Sequence, residues 1–165
     1  MSRPPSSPAP RILMPTDGSP CSEAAVRRGL RFAAALGAEV TFLYAVEDPL
    51  TPQGTSPYDL AYRTDLYDDP KEAAREALGR AASMAEEAGV PCRTVLVERE
   101  HPVRAIRAAE RDADLVIMGT HGRRGFNRLL FGSVAEEALH GAHKPYLILR
   151  HEGGTNREGV PFESA

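Results

Sequence analysis

The chain has 165 residues, 42% of them hydrophobic and 26% charged, enough for one folded domain with a substantial core. A net charge of -3 excludes wholesale attraction to nucleic acid or to an anionic membrane, so any basic site must be local. No apolar run approaches the roughly 18 residues of a membrane span, and Cys21 and Cys92 are too few for a disulfide framework, so a cytoplasmic protein is expected.

Residues 1–10, MSRPPSSPAP, lack the apolar core of a signal peptide and are expected to form a disordered arm ahead of a domain spanning 11–150. RILM (Arg11–Met14) is predicted as the first strand. Ser19 is placed to cap the next helix, with Pro20 at its first position. Val26, Leu30 and Ala33 then recur at helical spacing, and Gly37 supplies the stop. EVTFLYAV (Glu39–Val46), rich in β-branched and aromatic residues, is the second strand. Residues 47–69 exceed a plain connection and read as a lid, a binding loop or, most simply, a mobile insertion. Their tyrosines Tyr58, Tyr62 and Tyr67 are suited to cover a ligand or meet a protein partner.

DPKE (Asp69–Glu72) has the form of a capping box before an alanine-rich helix ending at Gly89. RTVLV (Arg93–Val97) is the third strand, and Pro102 opens a short helix through Val103 and Ile106. DLVIM (Asp114–Met118) and YLIL (Tyr146–Leu149) are the fourth and fifth strands, and residues 151–165 read as a flexible tail. The central runs are continuously apolar, as in strands covered on both faces. Strands alternating with helices imply right-handed crossovers. The expected fold is therefore α/β: a doubly wound, five-stranded parallel sheet with helices on both faces, its strand order taken as 3-2-1-4-5.

In such a sheet, ligands bind at the carboxyl ends of the strands where the winding reverses, here between the first and fourth. Two loops meet there: PTDGSP (Pro15–Pro20) and GTHGRRGFNRLLFGS (Gly119–Ser133). The second holds Gly119, Gly122, Gly125 and Gly132, with Arg123, Arg124 and Arg128, and leads into a helix at Ser133. Glycines let backbone N–H groups approach a phosphate, and the helix N-terminus adds unpaired donors and a positive dipole end. The plainer reading is a capping box at Ser133 and Glu136, loop glycines and solvated arginines. No Walker loop and no dinucleotide fingerprint is present.

Gly119, two residues, Gly122, nine residues and then Gly132-Ser133 resembles the G-2x-G-9x-G-(S/T) signature of ATP-binding universal stress proteins. ILMPTDGSPCSEAAV, DLVIMGTHGRRG and GSVAEEALHGAHKPYLIL are similar to that family too, so the likeness runs from about Arg11 to Arg150. The resemblance implies a dimeric five-stranded domain holding ATP or AMP, with Mg possible beside ATP. It places Asp17 on the ribose or adenine with Pro15 and Thr16 beside it, and Val46 against the adenine. Met118 and Gly119 face the ribose, and Gly122, Arg123, Gly132, Ser133 and Val134 hold the phosphates. His121 and Arg124 lie in the same loop. Ala135 stands where many binding members carry a hydroxyl, which removes a phosphate or metal contact. Asp17 in PTDGS is also a natural turn residue.

Other chemistry is thinly represented. His140 and His143 have no third ligand nearby, and histidines suit a helix C-terminus. Cys21 has no redox or basic partner, and Ser133 is not in a nucleophile elbow. The expectation is a nucleotide-binding sensor or regulator rather than an enzyme. The alternatives are a weak ATPase, with Asp17 or His121 assisting water, and a dimeric scaffold that binds no nucleotide. YLIL, at the sheet edge, invites pairing with a second copy, and the resemblance implies a homodimer there.

Overall fold

Five parallel strands stand in the order 3-2-1-4-5 in a computed structural model that describes residues 8–47, 69–120 and 132–150. The elements are β1 (Arg11–Pro15), α1 (Pro20–Leu36), β2 (Glu39–Val46), α2 (Pro70–Glu87), β3 (Cys92–Glu98), α3 (Pro102–Ala109), a 3₁₀ turn (Glu110–Asp112), β4 (Leu115–Gly119), α4 (Ser133–His140) and β5 (Tyr146–Leu149). The doubly wound fold read from the sequence is the fold observed. Expectations for residues 1–7, 48–68, 121–131 and 151–165 fall outside the described residues.

Local chemistry accounts for the helix boundaries. Ser19 caps α1 by accepting a hydrogen bond from Ser22 N at 3.2 Å, with Pro20 in the first turn, and Gly37 ends the helix at φ 60°. Asp69 caps α2 by accepting from Lys71 N at 2.8 Å, one residue earlier than a capping box would use. Pro10 is already tied to the sheet, its carbonyl accepting from Glu39 N at 2.8 Å.

The central strands divide their side chains between two cores by simple alternation. Ile12 and Met14, with Val40, Phe42 and Tyr44, meet α1 and α2 on one face. Leu13, Leu43, Val116 and Met118 meet α3 and α4 on the other. The first core packs closely because α1 and α2 offer it small residues: Ala25, Ala33, Ala74, Ala77, Ala81 and Ala85 are all buried.

Among the described residues, one charged residue is also buried. Glu110, in the 3₁₀ turn, is 1% exposed. Its carboxyl accepts from Tyr146 Oη at 2.6 Å and from His143 N at 3.2 Å, tying the turn to the start of β5. Burial, and then the hydrogen bond to Glu110, pushes the Tyr146 phenol well above its ordinary value near 10.0. The neutral phenol's contribution is therefore present in full below pH about 10, and it is lost as pH rises from there toward the folded-state value. Urea midpoints measured between about pH 9 and 11 should fall, and Tyr146→Phe should flatten that fall while lowering stability near neutrality. An unchanged alkaline slope in the variant would show that another group sets it.

Candidate functional site

The carboxyl ends of β1 and β4 lie side by side, paired in register at Ile12–Leu115 and Leu13–Val116. Their loops therefore open onto one edge, where the sheet reverses direction. Thr16 N continues the ladder by donating to Leu43 O at 2.9 Å. Its hydroxyl then accepts from Gly18 N at 3.2 Å and from Ser22 Oγ at 2.9 Å. Ser22 Oγ in turn accepts from Asp17 N at 3.4 Å. Thr16, Ser19 and Ser22 are all buried. A three-hydroxyl network thus fixes the loop after β1.

Asp17 sits on this frame. Its Oδ1 accepts from Ser19 N at 3.0 Å, an Asx turn that leads into the α1 cap. The turn role read from the sequence is therefore real, and it presents the Asp17 carboxyl at the switch-point edge.

On the β4 side, Thr120 N donates to Leu149 O at 3.1 Å, and Gly132 N donates to Thr120 O at 2.6 Å. The chain leaves at Thr120 and returns beside it at Gly132. Gly132, not Ser133, is the N-cap of α4, and it provides no side-chain cap. The capping box at Ser133 and Glu136 is therefore not formed. Glu136 N donates its helical bond to Gly132 O at 3.0 Å. The first N–H groups of a helix have no partner within it, and those of Ser133, Val134 and Ala135 emerge where the dipole is positive.

The remaining predicted residues divide between wall and floor. Met118 and Ala135 are buried in the core between sheet and helices, so Ala135 offers the edge its backbone rather than its methyl group. Val134 is half-buried against the same cluster. Val46 ends β2, half-buried, with its carbonyl accepting from Glu100 N at 3.3 Å. Pro15 and Gly119 are the last residues of β1 and β4. His121, Gly122, Arg123 and Arg124 lie outside the described residues.

Sequence reading missed part of the surroundings. Beyond β2 and β3, Lys71 Nζ meets Glu98 Oε2 at 2.6 Å, holding the Glu98 carboxyl below its usual range, and His101 Nε2 lies 3.6 Å from Glu47 Oε1. These pairs span 27 and 54 residues, so no local pattern announces them. The Thr16–Ser22 pair did have a signal, the hydroxyl-rich TDGSPCS after a strand. Among the described residues, no three His, Cys, Asp or Glu side chains gather to hold a metal ion, and no helix is long and apolar enough to cross a membrane. His143 Nδ1 lies 3.3 Å from Glu110 rather than beside His140.

These features define a doubly wound α/β domain whose reversal point presents a helix N-terminus opposite a rigid Asp-bearing turn. The universal stress protein family model matches residues 9–150. A universal stress protein of Methanocaldococcus jannaschii is 36% identical over 141 residues, covering 85% of this chain and 81% of that protein. The chain belongs to the universal stress protein family. Among similar solved structures, one family protein from Burkholderia pseudomallei is 30% identical with a TM-score of 0.63, covering 88% of this chain and 98% of its own. A universal stress protein in complex with cAMP is 26% identical with a TM-score of 0.60, covering 87% of this chain and 98% of its own.

Proposed function

We propose that the protein binds an adenine nucleotide, ATP or AMP, at the switch point and serves as a stress-response sensor or regulator. The observation that carries this reading is the α4 N-terminus at Gly132–Ser133, which has no cap from its N-cap residue and is tied to the end of β4. Phosphate fits such an end, because several N–H donors and the dipole act together. The Asp17 carboxyl suits the ribose hydroxyls, which donate to it. Val46 suits the flat, apolar adenine. The relative in complex with cAMP supports an adenine ligand.

Binding rather than turnover is the proposed activity: the Asp17 carboxyl at this edge is engaged in the Asx turn through Ser19 N. The protein is proposed to be cytoplasmic and a homodimer through β5, whose one pairing among the described residues is with β4. With triphosphate, Mg would have to be held chiefly by the phosphates, because Ala135 offers no hydroxyl.

Calorimetric titration of nucleotide-stripped protein with Mg-ATP and then AMP tests the reading. A dissociation constant near micromolar, about -8 kcal/mol, is expected. Asp17→Asn keeps the Asx turn, because an amide oxygen still accepts from Ser19 N, but it loses the charge. Affinity should fall by about 10–100-fold, matching the roughly 1.5–3 kcal/mol of a hydrogen bond to a charged group. Unchanged affinity would leave Asp17 as a turn residue alone. No heat and no thermal stabilisation by millimolar nucleotide would reject the nucleotide and favour a dimeric scaffold.

A further inference from the structure

We propose that Arg107, with Glu110 one turn further on, is a positioning residue that aims the phosphate-binding end of α4 from the helix's opposite end. The inference rests on the nucleotide-binding reading and extends it to residues far from the ligand. α4 has only eight residues, so it is about 12 Å long. A helix this short has little stability of its own, and its direction is set by what holds it. A tilt of about 5° would move its first N–H groups by about 1 Å over that length. That displacement is enough to spoil hydrogen-bond geometry.

α4 is tied at its start by Gly132 N donating to Thr120 O, and a second hold acts at its C-terminal end. Arg107 Nη2 donates to Glu137 O at 3.1 Å, one of the last four carbonyls of α4, which have no partner inside the helix. The guanidinium also places a positive charge at the negative end of the helix dipole. It packs directly on Gly141, the C-cap of α4, so closely that a Cβ at that position would collide with it. Arg107 Nε is buried and has no hydrogen-bond partner among the described residues. The arginine is thus wedged in place by packing, at the cost of an unsatisfied donor. Glu110 continues the hold along the chain, taking His143 N and Tyr146 Oη just after α4. Arg107 and Glu110 are three residues apart, so one face of α3 and its 3₁₀ turn grips both the end of α4 and the segment behind it.

The test compares affinities for AMP and adenosine in the full chain, with adenosine read by competition. Arg107→Gln removes the charge and the fork, and Gly141→Ala pushes the guanidinium out while leaving Arg107 in the sequence. Both variants should weaken AMP by about tenfold and leave adenosine within about twofold, because only the phosphate contacts depend on α4. Arg107→Lys, which keeps the charge at the helix end, should recover part of the loss. Equal losses for AMP and adenosine would make Arg107 merely structural, and no loss in either variant would overturn the assignment while leaving the nucleotide site standing. A wild-type chain that binds neither ligand would overturn the nucleotide reading and this inference together. Should Arg107→Gln fail to fold, Gly141→Ala alone still decides between these outcomes.

Discussion

A chain carrying Phe42→Ala is expected to lose about 3–5 kcal/mol of stability, the range for deleting a buried ring. Phe42 is 0% exposed at the middle of β2, paired in register with Met14 on one side and Thr94 on the other. Its ring points into the core shared with α1 and α2. The helical residues facing that core are largely alanines, including Ala74, Ala77, Ala81 and Ala85. Alanine has no rotamers with which to refill a vacated volume, so the cavity can close only if a whole helix moves. For that reason the cost should fall in the upper part of the range. Phe42→Leu keeps most of the volume and should cost about 1–1.5 kcal/mol. Urea denaturation with an unchanged slope measures both. A loss below about 1.5 kcal/mol for the alanine variant would mean that α2 settles onto the sheet and the alanine face is more compliant than its packing implies.

What the sequence disclosed follows from the range of each interaction. Ser19, Pro20 and Gly37 act within one turn of their own positions, so the ends of α1 were readable from neighbours alone. The strands were readable because burial on both faces demands unbroken apolar runs, whereas their order was a supposition that the observed 3-2-1-4-5 sheet bears out. Given that order, the reversal point and its two loops were legible. Individual side-chain roles were less so. Ser133 and Glu136 fit a capping pattern, yet Gly132 took the cap position, because the hydrogen bond from Gly132 N to Thr120 O fixes where the helix starts. Phe32 and Leu36 lie in α1 but remain exposed, since they fall off its inward face. The position of Ala135 in the core between sheet and helices was not visible in the sequence. Contacts that join distant segments leave no periodic trace, and Glu110, in the plainly polar ERD, is the clearest case.

Glu110→Ala should accordingly be as damaging as many apolar core substitutions, at about 2–4 kcal/mol. The carboxyl is 1% exposed and accepts from donors 33 and 36 residues away, His143 N and Tyr146 Oη. Removing it leaves two donors without an acceptor, each costing about 1–3 kcal/mol where water cannot reach. Tyr146 Oη should carry the larger part, because the His143 side chain is 82% exposed and its backbone is more readily hydrated. Glu110→Gln is nearly the same size but can satisfy only one of the donors well, since its NH₂ group opposes the other. Its cost should fall near half, about 1–2 kcal/mol. In the double variant Glu110→Ala/Tyr146→Phe both ends of the strongest bond are absent, so the loss should be less than the sum of the single losses, by about 1 kcal/mol or more. Denaturation of the four proteins measures that coupling directly. Additive losses would show that the phenol finds another partner when Glu110 is removed, and that the link between the 3₁₀ turn and β5 rests on packing rather than on this carboxyl.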